Sequence, residues 1–254
     1  MKLNLTFNDV AEKYDSVRPN YPNELFKDIF EYSNLSDNAK CLEIGIGTGQ
    51  ATAPFLDENI NVTAIDIGDN LCQFVKEKYK QYPKFTIINN NFMNFDFKNN
   101  CFDLIYSATA FHWLPDNALV KCKNILNNNG VIALFWNHPY PNRINDESNV
   151  INRKIYAKYK PNDKIPEEFS SKDCNEKIVK LKQYGYKNIE CKLFQRVRTL
   201  SSSEYIMLLN TYSDHIALPA QIREDFDRDM KNSLDEIGGK INIYDTIDLY
   251  LAKV

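Results

Sequence analysis

Long apolar runs, paired cysteines and a surplus of basic residues are all absent from this chain. No apolar stretch approaches 18 residues and no charged-then-apolar leader opens the sequence, so we expect neither a membrane span nor a secretion signal. The 254 residues carry 31 Lys and Arg against 34 Asp and Glu, a net charge of −3. That balance gives no electrostatic reason to expect a nucleic-acid partner.

The six cysteines are scattered without a C-x-x-C pair, and several fall inside predicted strands or helices. We therefore expect buried, reduced thiols rather than disulfides or zinc ligands, which favours a cytoplasmic protein. The three histidines, at positions 112, 138 and 215, are too dispersed to indicate a metal site. With 43% hydrophobic residues, the chain is long enough for one α/β domain with a large core.

Glycine is scarce, with eight residues, yet three of them stand at alternate positions within five residues. These three are Gly45, Gly47 and Gly49. They follow an apolar strand at 41–44, and a turn that passes close to a ligand needs residues without a Cβ atom. Glu43 lies just before the turn, where a carboxylate can reach the loop or a cationic ligand. The pattern predicts a ligand loop and then a helix that opens at 48–51, with Pro54 in its early turns.

Two kinds of ligand use such a loop. A dinucleotide site needs G-x-G-x-x-G, which would put the third glycine at Gln50, whereas it comes one residue early, at Gly49. The observed pattern, E-x-G-x-G-x-G, resembles motif I of the class I S-adenosylmethionine-dependent methyltransferases. The resemblance implies S-adenosylmethionine as the cofactor, with the loop against its methionine and ribose part. A nicotinamide-dependent oxidoreductase is the alternative.

The next strand, at 61–66, alternates in hydropathy and ends in Asp66, 21 residues after the first glycine. An acid at that place grips a ribose diol, so we predict Asp66 and its neighbour Ile67 as cofactor-binding residues. The alternative for Asp66 is an ordinary turn aspartate. Asp69 is predicted to cap the helix that follows, whose apolar residues recur at helical spacing.

The segment from 85 to 106 aligns without a gap to the family pattern G-D-A-x-x-L-P-F-x-D-x-S-F-D-L-V. Asn91 falls where the family has the aspartate that accepts from the adenine amino group, and Phe92 follows it. An amide oxygen can accept the same hydrogen bond without a charge. Because asparagine is abundant throughout the chain, Asn91 has the alternative reading of compositional bias.

The strand at 102–105 runs into a loop that should line the mouth of the site, because open α/β sheets bind ligands at the carboxyl ends of their strands. Ser107 is therefore a predicted cofactor contact. His112 is the best candidate for a general base or an acceptor contact. The alternative is a structural role, in which its ring packs beside Trp113. His138, Tyr212 and His215 are candidates for the substrate wall.

Residues 7–22 and the later A-x-x-F-H-W resemble the small-molecule methyltransferases similar to trans-aconitate methyltransferase. In such enzymes the leading segment folds over the cofactor, which makes Tyr14 and Arg18 candidates for contacting the cofactor carboxylate or an acidic substrate. The alternative for Arg18 is a surface arginine before a turn. The branch implies methyl transfer by in-line displacement to a small-molecule acceptor, at a carboxylate or hydroxyl oxygen. A base is needed only if the acceptor is protonated.

The predicted fold is a Rossmann-like, doubly wound sheet of seven strands, mostly parallel with an antiparallel final strand beside strand six, and with helices on both faces. Within one domain (1–254) we distinguish a cofactor-covering segment (1–36), a cofactor-binding half (37–136), an insertion (137–183) and C-terminal strands and helices (184–254). The insertion is predicted to be a lid over the pocket, and the alternative is a solvated connecting helix. Ser201 and Glu204 form a predicted capping box. We expect a monomer or homodimer. For the function, a non-catalytic cofactor-binding protein on the same fold is the remaining alternative.

Overall fold

The computed structural model describes Asp15 and residues 18–254. They contain a seven-stranded sheet in the order β3-β2-β1-β4-β5-β7-β6. The strands are β1 (Lys40–Ile44), β2 (Asn61–Asp66), β3 (Phe85–Asn89), β4 (Phe102–Ala108), β5 (Leu126–Tyr140), β6 (Lys187–Ser201) and β7 (Lys240–Lys253). Strands β1 to β5 pair in parallel, and β7 pairs antiparallel with both β5 and β6. This confirms the predicted fold class.

Nine α-helices connect the strands in the described part of the chain. They are α1 (Asn23–Ser33), α2 (Ala53–Asp57), α3 (Asp69–Lys78), α4 (Ala118–Ile125), α5 (Glu147–Tyr159), α6 (Asn175–Gln183), α7 (Ser202–Leu209), α8 (Ser213–Ile216) and α9 (Ala220–Asp235). Among these described helices, none combines the length and the apolarity that crossing a bilayer requires.

The central strands are apolar on both faces because helices cover the sheet on both sides. One core cluster packs α1, α2 and α3 against the sheet and contains Phe55, Tyr106 and Phe135. The other packs α4 and α6 on the opposite face and contains Leu42 and Ile105. Alternate side chains of β1 and β4 therefore pack into the two cores on opposite faces of the sheet, as a doubly wound sheet requires.

A third cluster lies beyond the sheet's centre, where α7 and α9 pack with the beginning of β7, and apolar residues of α5 join it. The predicted capping box opens α7: the Ser201 side chain accepts from the Glu204 N–H, and the Glu204 carboxylate accepts from the Ser201 N–H. This prediction is confirmed, and it fixes where the chain leaves β6 for the C-terminal helices.

Two predicted helix starts are wrong. The helix after the glycine loop begins at Ala53 rather than at 48–51, because Gly47 and Gly49 hold left-handed φ angles of 57° and 83° that no right-handed helix admits. Asp69 is the first helical residue rather than the cap. Gly68 occupies the cap position, and its N–H donates to Asp66 Oδ1 at 2.9 Å.

The segment predicted as a lid is partly built into the sheet. Residues 137–140 extend β5 and pair with β7 as far as Tyr140. The following helix α5 packs on α9 and β7. Movement of residues 137–183 over the site stays a prediction.

Candidate functional site

A cavity of about 340 Å³ opens at the carboxyl edge of the sheet, where β1, β2 and β4 end. Its described lining combines the glycine loop, the tip of β2, the turn after β3, the loop after β4 and residues from either end of the chain. Of the predicted site residues, it brings together Arg18, Gly45, Gly47, Asp66, Ile67, Asn91, Phe92, His112 and Tyr212. The predicted contact Tyr14 lies outside the described residues.

The three loop glycines have different physical duties. A Cβ on Gly45 would lie 2.5 Å from the Ala110 Cβ, and one on Gly49 would lie 2.7 Å from Tyr79 Cε2, so both are required by protein packing. A Cβ on Gly47 would meet no atom of the described residues within 4 Å, although the residue lines the cavity. Only Gly47 therefore leaves its space for a ligand. Gly49 is outside the lining, and its carbonyl accepts from the Tyr79 hydroxyl at 2.6 Å.

Asp66 joins the tip of β2 to the glycine loop. Its Oδ2 accepts from the Gly47 N–H at 3.1 Å while Oδ1 accepts from the Gly68 N–H. Burial raises the pKa of Asp66, although the backbone hydrogen bonds act in the opposite direction. The carboxyl group is thus held in place by the backbone at the cavity wall, with Ile67 beside it.

Glu43 and Ser107 lie beneath the loop rather than in the cavity lining. Glu43 Oε2 accepts from Thr52 Oγ1 at 2.7 Å and from the Tyr106 hydroxyl at 2.9 Å. Burial raises the pKa of this carboxyl to about 8. Ser107 Oγ donates to the Ile44 carbonyl at 2.8 Å. Both were predicted as cofactor contacts. Their described hydrogen bonds are made within the protein, so a contact of either side chain with the cofactor stays a prediction.

The turn after β3 contributes Asn91 and Phe92 to the lining, next to Asn90. The Asn91 Oδ1 accepts from the Met93 N–H at 2.8 Å. A carbonyl oxygen has a second lone pair, so one acceptor direction is left. Phe92 is buried and joins the core on the α4 face. The turn therefore offers an amide edge beside an apolar ring.

Arg18 contributes to the cavity lining from the segment before α1. Its Nε donates to Thr211 Oγ1 at 3.2 Å and its Nη2 donates to the Thr211 carbonyl at 3.3 Å. The guanidinium carbon lies 4.6 Å from the centroid of the Tyr212 ring. The contacts join a residue before α1 to the turn between α7 and α8, and they bring a cationic group and an aromatic ring to one wall of the cavity.

Two lining residues on this wall, Tyr21 and Asn137, were missed by the sequence reasoning, whereas Thr109 belongs to the loop after β4 that was predicted to line the mouth of the site. Tyr21 and Thr109 share a hydrogen bond of 2.7 Å between their hydroxyls, and Thr109 Oγ1 also accepts from the Asn137 N–H. The Asn137 Nδ2 donates to Asp245 Oδ1 at 3.2 Å, whereas its Oδ1 is buried without a hydrogen-bond partner in the described part of the chain. The one usable sequence signal was Thr109, which directly follows β4.

His112 lines the cavity from the 3₁₀ turn Phe111–Trp113. Its Nδ1 accepts from the Trp136 indole N–H at 3.0 Å. Burial lowers the pKa of His112, with smaller contributions of the same sign from Lys177 and His138. The hydrogen bond holds the ring in this orientation beside Trp113.

The other two histidines lie outside the cavity lining. His138 stacks on Phe169 with 3.7 Å between ring centroids, and its Nε2 lies 3.0 Å from Asp248 Oδ1. His215 is fully buried between Tyr156 and Phe226, and burial lowers its pKa to about 4. Both were predicted as substrate-wall residues, whereas their contacts are those of packed and paired side chains. Among the described residues, no cluster of three metal-ligating side chains occurs.

A sheet in this order, with a glycine loop after β1 and an acid ending β2, is the architecture of a class I methyltransferase. In agreement, residues 42–134 match the profile of a family described as "Methyltransferase domain". The chain is an S-adenosylmethionine-dependent methyltransferase, and S-adenosylmethionine is its cofactor. This decides against the nicotinamide-dependent alternative.

Several named proteins resemble the chain. A Schizosaccharomyces pombe protein described as an uncharacterized methyltransferase is 25% identical over 234 residues, which cover 90% of this chain and 85% of the relative. An rRNA adenine N-6-methyltransferase of Limosilactobacillus reuteri is 26% identical, over 75% of this chain and 90% of the relative. A solved structure from Anaeromyxobacter dehalogenans, described as a type II methyltransferase, superposes with a TM-score of 0.68 at 17% identity. It covers 93% of this chain and 97% of that one.

Proposed function

We propose that the chain transfers a methyl group from S-adenosylmethionine to the carboxylate of a small acidic molecule. The observation that carries this proposal is that the Arg18 guanidinium lines the same cavity as Gly47 and Asp66. A guanidinium binds a carboxylate by charge and by parallel N–H donors. The cofactor side and a cationic wall therefore share one enclosed space of small-molecule size.

The cofactor fits the loop side of this cavity. Among the described residues, none comes within 4 Å of the position that a Cβ on Gly47 would take. We assign the ribose diol to Asp66 and Ile67, and the adenine to Asn91 and Phe92. When bound, the cofactor supplies a methyl group made electrophilic by the sulfonium. The residues of this chain have to hold the acceptor near that methyl group and to keep water out.

Arg18 is assigned to the acceptor rather than to the cofactor. Two of its hydrogen bonds go to Thr211 and its guanidinium lies over the Tyr212 ring, and both residues follow β6 rather than belonging to the cofactor-binding half. A carboxylate acceptor is ionised at neutral pH and needs no general base. The trans-aconitate-like branch suggested by the N-terminal motif is consistent with such an acceptor, and it remains our proposal.

A hydroxyl acceptor is the second candidate, because one observation favours it. The Asn137 Oδ1 is buried at the cavity wall without a partner among the described residues, and it could accept from a substrate O–H. The donation from Asn137 Nδ2 to Asp245 fixes the amide's orientation, since a carboxylate oxygen only accepts. A hydroxylated acid would satisfy both Arg18 and Asn137.

The Limosilactobacillus reuteri relative is named for methylation of adenine in rRNA. This chain has a net charge of −3, which gives little electrostatic attraction to a phosphate backbone. We therefore place RNA among the acceptors to be tested rather than in the proposal. All six cysteines are unpaired, which supports the proposed location in the reducing cytoplasm.

The test begins with calorimetric titration of S-adenosylmethionine and S-adenosylhomocysteine, followed by a methyl-transfer screen with the labelled cofactor. The acceptors are small mono-, di- and tricarboxylic acids, their hydroxylated counterparts and RNA. We expect alkali-labile methyl esters from the acids. Arg18→Ala should raise KM for the acid with cofactor affinity unchanged, while Arg18→Lys should restore part of it. Transfer to RNA alone, or an Arg18→Ala variant with unaltered KM, would contradict the proposal.

Asp66 provides the test of the cofactor's position. Asp66→Ala should weaken S-adenosylmethionine binding at least tenfold, about 1.4 kcal/mol, because the ribose loses its acceptor. Asp96→Ala is the matched control, since Asp96 is exposed and outside the cavity lining. Calorimetry measures both affinities, and equal affinity in the two variants would remove Asp66 from the cofactor site.

A further inference from the structure

The orientation of His112 determines which of its ring nitrogens can act in the cavity. Nδ1 lies 3.0 Å from the Trp136 indole nitrogen. An indole N–H can only donate, so Nδ1 must be the lone-pair nitrogen, and the ring proton resides on Nε2. In this state the imidazole has no free basic nitrogen. Its remaining polar group is the Nε2–H donor.

Trp136 is itself fixed from three directions. It lies in β5 with 7% of its surface exposed, and its backbone N–H donates to Asp248 Oδ1 at 3.1 Å. The Lys177 ammonium stands 4.7 Å from the indole ring centroid and 3.3 Å from Asp248 Oδ2. Asp248 is fully buried and also accepts from the Tyr250 hydroxyl at 2.8 Å. The indole therefore cannot turn away from His112 without losing its contact with Lys177.

The same network opposes any other protonation state of His112. A proton on Nδ1 would set two donors against each other and leave the buried indole N–H without an acceptor. The Lys177 ammonium over the indole face strengthens the indole as a donor and repels a second positive charge nearby. His138 also lowers the pKa of His112 when it carries a charge. Asp248 cannot offset this effect on His112, because its oxygens already accept from Trp136, His138 and Lys177.

We propose that Trp136, backed by Lys177 and Asp248, holds His112 as a neutral Nε2–H donor that positions an oxygen of the acceptor, and that His112 is not a general base. The acceptor contact rests on the proposed function of the cavity. Trp136 and Lys177 are then positioning residues that act through His112. The acceptor must arrive already ionised or present a hydrogen-bond-accepting oxygen, which is what a carboxylate does.

The tautomer is measured on the free enzyme, independently of any acceptor. In ¹⁵N-detected NMR of the imidazole, His112 should show an unprotonated Nδ1 and a protonated Nε2 throughout pH 6–8. Trp136→Phe keeps the ring but removes the N–H, so it should produce mixed tautomers and raise the His112 pKa by about one unit. Trp113→Phe is the matched control: its ring also neighbours His112, at 4.8 Å between centroids, and it should leave the spectrum unchanged. A protonated Nδ1 in the wild type would overturn the proposal.

Kinetics on the methylated acid then separate a donor from a base. Gln carries an N–H donor but cannot take up a proton, so His112→Gln should retain kcat/KM within about tenfold, while His112→Ala should lose about a hundredfold. The wild-type rate should not fall between pH 8 and pH 6. A His112→Gln variant as inactive as His112→Ala, with a rate that follows one ionisation, would show a base and refute the proposal. If no acid is methylated but the NMR shows the Nε2–H form, the acceptor assignment fails and the Trp136–His112 arrangement stands.

Discussion

The buried Glu43 carboxyl makes the stability of the protein depend on pH in an unusual direction. Glu43 is 1% exposed, and burial raises its pKa from 4.5 in the unfolded chain to about 8 in the fold. The folded state therefore binds the proton more tightly than the unfolded state does. Below pH 4.5 the carboxyl is protonated in both states, so its ionisation does not affect the free energy of unfolding. As the pH rises from 4.5 to 8, ionisation in the unfolded chain lowers the free energy of unfolding progressively. Glu43→Gln makes the neutral form permanent.

The magnitude follows from these two pKa values. Between pH 5 and pH 7, ionisation of Glu43 in the unfolded chain should lower the free energy of unfolding of the wild type by about 2.5 kcal/mol. In the Glu43→Gln variant, the amide oxygen of the new side chain can still accept from Thr52 and Tyr106. The variant should lack the pH-dependent loss, so its advantage over the wild type should grow by about 2.5 kcal/mol across the interval, whatever its offset at pH 5.

Urea unfolding at pH 5, 6 and 7, followed by circular dichroism, measures the difference directly. Because both proteins contain every other titrating group, the comparison isolates Glu43. Glu58→Gln is the control: Glu58 is exposed, and its variant should keep a constant difference from the wild type. Free energies for Glu43→Gln and wild type that run parallel from pH 5 to pH 7 would refute the reasoning, since they would mean that Glu43 ionises alike in both states.

Two further contrasts test the loop and a helix cap. Gly47→Ala should weaken S-adenosylmethionine binding at least tenfold in calorimetry, and its left-handed φ should lower the free energy of unfolding by about 1–2 kcal/mol. Gly49→Ala should lower the free energy of unfolding by about 2–4 kcal/mol in thermal unfolding, because its Cβ would meet Tyr79. Equal melting of both variants would contradict this division of roles. Asp146 caps α5, and although burial raises its pKa, hydrogen bonds from Ser148, Asn242 and Tyr244 outweigh that effect and lower it to about 2. Asp146→Ala should cost about 1–2 kcal/mol at pH 7, and the difference should shrink as the pH falls from 3.8 towards 2; a constant difference would argue against the charge.

The parts of the site that depend on local chain geometry could be predicted from the sequence. The glycine loop needs left-handed φ angles and close packing, and only glycine satisfies both at Gly45 and Gly49. Asp66 ends a strand whose carboxyl edge faces the loop, and parallel strands bring their ends together. Hydrophobic periodicity and the residue types of the turns are therefore enough to predict the sheet, this loop and the acid beside it.

The cationic wall could not be predicted in the same way, because it is assembled from residues far apart in the chain. Arg18 meets Thr211, 193 positions away, and Asn137 meets Asp245, 108 positions away. No local pattern encodes such pairs. The surroundings of Glu43 could not be predicted for a different reason: a carboxylate next to a ligand loop is expected to face the ligand, whereas hydrogen bonds from Thr52 and Tyr106 hold it inside the protein.

The place of β7 in the sheet has a consequence for the order of assembly on the ribosome. β7 lies between β5 and β6, although residues 240–253 are synthesised after both. The five parallel strands can pair as they emerge, but β6 has no strand to join until β7 has left the exit tunnel. In that interval β5 and β6 each present an unpaired edge to other nascent chains. We expect chaperone dependence to be greatest in this interval and to end when β7 enters between them.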